Sequence, residues 1–267
     1  MAFFGAVSVS IMAPATETVN SEGTPCYELK GINMASSPGV PVILMVPTGT
    51  ENATFLKALS EKTTDGSTVR VLATGVLQPV LAEKNKQEGT INKPSKIILW
   101  VGAARRLRAD LNLDPEQCSV FGNGYASETT DFEDKSIRKP ELRISSGTES
   151  LKEEGTYCSM LNVQGTQATG LDEFCMQVED GREVYFQGNL HRSAGEYNGK
   201  EYDNLKCELS FIQETDRIKK KGGGRKPKAQ SMRSQLNDSF EESNSSPTQT
   251  MSATELSAQA NISLADF

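Results

Sequence analysis

A single histidine, His191, is all the imidazole this chain of 267 residues has. That excludes a metal site built on two histidines and argues against a His-dependent catalytic triad. The five cysteines (Cys26, Cys118, Cys158, Cys175 and Cys207) stand far apart, odd in number and without a CxxC pair. This is neither a disulfide framework nor a zinc ribbon, and it fits reduced thiols in a cytosol-like compartment. No GxxxxGKS/T loop is present and no GxGxxG opens a helix, so the common phosphate cradles are missing. No stretch approaches the ~18 uninterrupted apolar residues of a membrane helix. The apolar start, Ala2 to Ile11, lacks the Lys/Arg-bearing opening of a secretory signal. Its segment Val7-Ser8-Val9-Ser10-Ile11 alternates with period two, as a half-buried strand does. Together these absences point away from an enzyme, and no cofactor or metal is expected.

Charge divides the chain. Its net charge is −7, yet eight Lys/Arg fall within 217–233, including Lys219-Lys220-Lys221 and Arg225-Lys226-Pro227-Lys228. Five acids and no Lys/Arg follow, in a stretch rich in Ser, Asn, Thr and Gln. Such a composition cannot bury enough to fold, so 215–267 reads as a disordered tail, basic and then acidic. Residues 1–214 carry 20 Lys/Arg against 29 Asp/Glu and form the body.

Within the body the period-two pattern recurs in short segments. Ala6–Met12, Cys26–Ile32, Val40–Val46, Val69–Leu77 and Lys96–Val101 read as strands, with a helix over Ala53–Lys62 carried by Phe55, Leu56 and Leu59. Five strands with a helix between the third and fourth is the element order of an OB-fold, a small Greek-key β-barrel. The second half gives Cys118–Tyr125, Tyr157–Gln164, Glu173–Val178, Glu183–His191 and Tyr202–Ile212 as strands. Only Gly165–Asp172 is left for a helix, which therefore reads as lost. Asp65-Gly66-Ser67-Thr68-Val69-Arg70-Val71 is echoed by Asp180-Gly181-Arg182-Glu183-Val184-Tyr185-Phe186, a short internal repeat. Asn198-Gly199 signals a type I′ hairpin turn. The expected fold is all-β: an OB-fold unit over 1–108, a second over 109–214, and the tail over 215–267.

The second unit resembles a known family. Lys139-Pro140-Glu141-Leu142-Arg143-Ile144-Ser145-Ser146-Gly147-Thr148 is similar to the "DPELR…SGT" segment of bacterial and phage-type single-stranded DNA-binding proteins. Gly181-Arg182-Glu183-Val184-Tyr185-Phe186-Gln187-Gly188-Asn189-Leu190 resembles their "GSxVYVEGRL" strand, and Asn198-Gly199-Lys200-Glu201-Tyr202 their "DGxxRY" hairpin. The basic linker and the end Leu264-Ala265-Asp266-Phe267 also resemble that family. The likeness covers 118–213 and the tip. An insertion, Ala126–Arg138, separates the first strand from the Pro-Glu-Leu-Arg segment, and the family's third-strand "WF" and its helix are absent. The resemblance implies a divergent member that binds single-stranded DNA without sequence preference, in replication, recombination and repair.

Binding single strands requires cations that track phosphates and flat faces on which bases stack. Alternation places Val184 and Phe186 inside and Tyr185 outside beside Arg182, and Val69 and Val71 inside with Arg70 outside. Trp100 and Lys96 share a face, and Arg143 and Tyr157 flank the next strands. Arg192, Tyr197, Lys200 and Tyr202 gather in the hairpin. These eleven are the candidate nucleic-acid contacts. Any one tyrosine is also readable as ordinary strand packing, and Trp100 as core.

At the tip, Leu264, Asp266 and Phe267 are candidates for docking into a basic-rimmed apolar pocket on replication or repair proteins. The expected partners are single-stranded DNA and such proteins, with no membrane, a homo-oligomer as an open option, and a cytoplasmic, nucleoid-associated location. The alternatives are an OB-fold protein-interaction or assembly module, and an RNA-binding protein.

Overall fold

Strand β1 (Phe3–Ile11) organises the molecule, because it belongs to one barrel and is hydrogen-bonded to the other. In the computed structural model, residues 2–20, 23–63, 67–85, 88–107, 116–131, 134–146 and 159–218 are described. The expectations for Tyr157, for the basic run beyond 218 and for Leu264, Asp266 and Phe267 fall outside them.

The first barrel contains β1, β2 (Thr16–Val19), β3 (Pro25–Asn33), β4 (Val40–Pro47), helix α1 (Glu51–Ser60), β5 (Val69–Val80), the short ribbon β6 (Glu83–Lys84) and β7 (Ile91–Lys93), and β8 (Lys96–Arg106). Antiparallel pairs β1–β3, β3–β4, β8–β5 and β5–β1, with the parallel pair β4–β8, close a five-stranded cylinder. The ring order is first, second, third, fifth and fourth strand, which is the Greek-key arrangement of an OB-fold. Alternation drives it: Val69, Val71, Ala73 and Leu77 point inward from β5, and Ile97 and Leu99 from β8, all buried. Helix α1 starts where the Thr50 hydroxyl accepts the Ala53 N–H at 3.1 Å. It buries Ala53, Leu56 and Leu59, one stripe at helical spacing. Phe55, expected on that stripe, lies about 100° around the helix from Leu56 and is 36% exposed.

The second barrel is β9 (Cys118–Thr130), β10 (Arg138–Ser145), β11 (Met160–Gln164), helix α2 (Leu171–Gln177), β12 (Arg182–Tyr197) and β13 (Lys200–Ile218). It closes in the same order, with β11–β13 as the parallel pair. Both barrels are OB-folds.

Three expectations for this half are corrected. The helix is present, over the stretch read as the strand Glu173–Val178. Leu171, Phe174, Cys175 and Val178 have i, i+3, i+4, i+7 spacing, and Cys175 and Val178 are buried. The Pro-Glu-Leu-Arg segment is itself the second strand, with Leu142 and Ile144 inward. The insertion is largely a lengthened hairpin, since β9 runs on to Thr130 and Arg138 already pairs with it. Strand β13 also extends to Ile218, past the point where composition places the tail.

Two glycines carry the coiling of the long strands. A register shift falls at Gly75 in β5 and another at Gly188 in β12. A Cβ would come within 1.9 Å of the Trp100 carbonyl oxygen at the first and 2.2 Å of the Glu208 oxygen at the second, so only glycine fits.

The barrels meet through β1–β9, antiparallel from Phe3 opposite Gly122 to Val7 opposite Cys118. Phe3 packs edge-on against Phe186 with centroids 5.3 Å apart, so one hydrophobic core runs through both. A buried polar knot seals the joint: Asn33 Nδ2 donates to the Ser8 and Gln117 carbonyls at 2.8 and 2.9 Å.

Candidate nucleic-acid interface

On an OB-fold the outer surface of the second and third strands, with the loop between the fourth and fifth, is where oligonucleotides lie. In the second barrel those strands are β10 and β11. Between the buried Leu142 and Ile144, Arg143 is forced outward and is exposed. Directly across the ladder stand Ser127 on one side and Asn162 on the other, then Lys206 on β13 and His191 on β12. At roughly 4.8 Å per strand, this is a polar row some ~19 Å long with Arg143 and Lys206 as its cations. Lys206 is held by Glu141 at 2.5 Å. The sequence reading found Arg143 but missed Asn162 and Lys206. Their signal was a polar residue between two buried apolar ones, Leu161 and Val163 for the first, Leu205 and Cys207 for the second.

The row leads to the hairpin. Beyond Asn189, β12 leaves β9 and continues with β13 alone as a projecting arm. Asn198 (φ 52°) and Gly199 (φ 70°) make its turn, both left-handed as the Asn-Gly reading expects. Tyr197 and Lys200 face each other across it, and Tyr197 is 74% exposed. The Tyr202 ring lies over Gly195, where a Cβ would be only 2.9 Å from the tyrosine oxygen. Three of the four hairpin candidates are thus together at an exposed tip. The fourth, Arg192, is near the base and turned elsewhere: its Nε and Nη2 bond Asp203 at 2.9 and 2.8 Å, and its side chain is 14% exposed.

The remaining candidates separate. Arg70 is outward on β5 but bonds Glu116 at 2.7 Å, tying the chain that re-enters the second barrel. Arg182 is paired with Glu179 at 3.3 Å and Glu214 at 3.7 Å. Tyr185 is half-buried and meets Phe211 edge-on, with centroids 6.0 Å apart. Lys96 and Trp100 share the outer face of β8, as expected, with Ile98 between them.

Trp100 also begins an unexpected row. Opposite it on β5 is Val76, then Phe4 on β1, Phe121 on β9, Gln187 on β12 and Phe211 on β13. Val76, Phe4, Phe121 and Phe211 are 38–44% exposed, and Phe4 stacks on Phe121 with centroids 5.9 Å apart. This apolar stripe crosses the sheet shared by both barrels.

Burial pushes the Cys118 thiol up to about 12 and Cys175 up to about 11, and raises Cys207 further, so all three stay protonated. No cluster of three metal-ligating side chains occurs among the described residues, and no described helix is long and apolar enough to cross a membrane.

No protein-family model matches the chain, and no curated protein matches it. Solved structures do. Among them are single-stranded DNA-binding proteins. The wild-type protein of that description from Thermus aquaticus is 14% identical, with a TM-score of 0.46, over 85% of this chain and 98% of that one. A deletion mutant of the Thermus aquaticus protein is 11% identical, with a TM-score of 0.48, over 83% and 98%. A murine DNA-binding protein bound to double-stranded DNA is 9% identical, with a TM-score of 0.20, over 84% and 99%.

Proposed function

We propose that the chain binds single-stranded DNA without sequence preference and protects it during replication, recombination and repair. The observation that carries this reading is the polar row Arg143, Asn162, Lys206 and His191, crossing the binding face of an OB-fold and leading to an exposed Tyr197–Lys200 tip. Such a face supplies phosphate contacts along the row and stacking at its end, each stacked base contributing ~1–3 kcal/mol. Lys96 and Trp100 offer the first barrel's share. The acidity of the body keeps total charge from doing this work, so stacking carries more of the affinity than in a strongly basic protein. On this reading Arg70, Arg182 and Arg192 hold the architecture and do not touch the strand. Leu264, Asp266 and Phe267 recruit replication and repair proteins, in a nucleoid-associated setting.

A second reading concerns self-association, favoured by the apolar stripe. Half of the stripe comes from each barrel, and Phe4 and Phe121 meet at its centre across the antiparallel β1–β9 pair. A second copy laid face to face covers Phe4 and Phe121 with their own counterparts, an isologous contact.

The deciding experiment titrates the purified protein with a labelled ~35-nucleotide oligo(dT) at two salt concentrations, with duplex DNA and the matching RNA as competitors. Tight, salt-weakened binding that prefers the single DNA strand is expected. Absence of binding overturns the reading in favour of an assembly module; preference for the RNA reassigns it to RNA.

A further inference from the structure

The arm formed by β12 and β13 crosses from its own barrel to the other one. Its base is fixed there by a buried charge network. Asp203, whose side chain is 2% exposed, accepts Arg192 on both oxygens and also the backbone N–H of Ser95 at 2.9 Å. The Ser95 hydroxyl donates to the same carboxylate. Ser95 is fully buried and immediately precedes β8 of the first barrel. Arg192 in turn donates its Nη1 to the Gly39 carbonyl at 3.1 Å and its N–H to the Ser36 hydroxyl at 3.2 Å, both in the loop between β3 and β4. Nearer the tip, the Glu201 N–H donates to the Gly89 carbonyl at 2.9 Å and the Glu201 carboxylate accepts the Ile91 N–H at 2.6 Å. Gly89 and Ile91 belong to the β6–β7 excursion, which is the first barrel's own connection between its fourth and fifth strands.

The two connections that an OB-fold uses to grip a strand are therefore bonded to each other, one from each barrel. A charge pair this deeply buried is poor stabilisation compared with apolar packing and strongly penalises loss of either member, so its effect is to fix one geometry. We propose that Arg192, Asp203 and Ser95 are positioning residues that lock the second barrel's hairpin onto the first barrel's loops, so that one DNA strand runs across both barrels as a single continuous site. This rests on the single-stranded DNA reading for its ligand, though the lock itself does not.

Two measurements separate the layers. The backbone amides of Ile91, Ser95, Arg192 and Glu201 are donors between the arm and the first barrel, and their hydrogen exchange is read without DNA. In Asp203→Asn, which leaves the Arg192 charge unpaired, these four amides exchange at least ~10-fold faster while amides of β1 and β9 are unchanged. Equal exchange in variant and wild type overturns the lock. The second measurement compares oligo(dT) of ~10 and ~35 nucleotides, the shorter filling about one barrel and the longer two. The variant keeps the affinity for the short strand and loses about tenfold for the long one, because the barrels no longer present their sites at a fixed separation. Faster exchange with both affinities unchanged overturns the positioning role. If wild type binds neither strand, the DNA reading fails while the exchange result still decides the lock. If Asp203→Asn does not fold, Ser95→Ala removes one hydrogen bond, keeps the ion pair and repeats both comparisons with a smaller change in the same direction.

Discussion

Arg143 and Tyr197 have little to do with holding the fold, which makes them clean probes of binding. Arg143 is exposed on β10 and Tyr197 is 74% exposed at the hairpin tip. Tyr197→Ala is expected to weaken oligo(dT) binding by ~1–3 kcal/mol with an unchanged melting temperature. Arg143→Ala is expected to weaken it on every sequence and to lower the slope of log affinity against log salt by about one. An unchanged slope removes Arg143 from the phosphate path. Lys206 differs, since Glu141 already holds it; its counterpart change Glu141→Gln releases a cation into the row and raises affinity. Tyr185→Ala is a less selective probe because the ring packs against Phe211. Alternation assigned Tyr185 to the outer face and the Pro-Glu-Leu-Arg motif picked out Arg143, but no periodicity shows which arginines have carboxylate partners. Arg70 meets Glu116, 46 positions away in sequence, and Arg192 meets Asp203 only because a hairpin folds back.

For the elements, the projecting arm invites a test by acid. Burial alone would push the Asp203 carboxyl up. Hydrogen bonds from Arg192 and Ser95 outweigh burial and hold it below the usual carboxylate range. A carboxyl whose pKa is lower folded than unfolded contributes stability above its unfolded value, about 3.9, and loses that contribution as pH falls through the folded value. The docked arm is therefore expected to persist from neutral pH down to about pH 4 and to open below it, read as loss of Ser95 and Arg192 amide protection. Protection that is unaffected well below pH 3 would contradict this. The strands of the first barrel were legible because their alternation is clean, and α1 because Leu56 and Leu59 stand at helical spacing. Helix α2 was not. It has only seven residues, follows Gly170 without a side-chain cap, and its Phe174, Met176 and Val178 also satisfy period two. Strand β10 was recognised by motif and not as a strand, because Pro140 and four charged residues interrupt its pattern.

At the scale of the whole molecule, the apolar stripe was beyond the reach of sequence reading, since Phe4, Val76, Phe121 and Phe211 join only once the strands of two barrels are in register. Their exposure makes concentration dependence the informative measurement. Light scattering on the full chain is expected to show a dimer. Phe4→Glu with Phe121→Glu is expected to give a monomer that keeps short-strand affinity, because the stripe is separate from the Arg143 row. A wild-type monomer at tens of micromolar would leave the stripe without a second copy. Trp100, at the stripe's margin, reports on both events: a change on dilution marks association, a change on adding oligo(dT) marks binding.

The β1–β9 ladder has one more consequence. Two separate chains that pair edge to edge must each keep an edge that fits both itself and its mate, so a change on one side is imposed on the other. Here the two edges are encoded once each and always meet as unlike partners. Gly122 can make room for Phe3 without Gly5 having to accept a phenylalanine in return. Covalent linkage frees the halves to drift apart in sequence while remaining one body, which is how a chain can hold two barrels of the same fold with so little visible repetition between them.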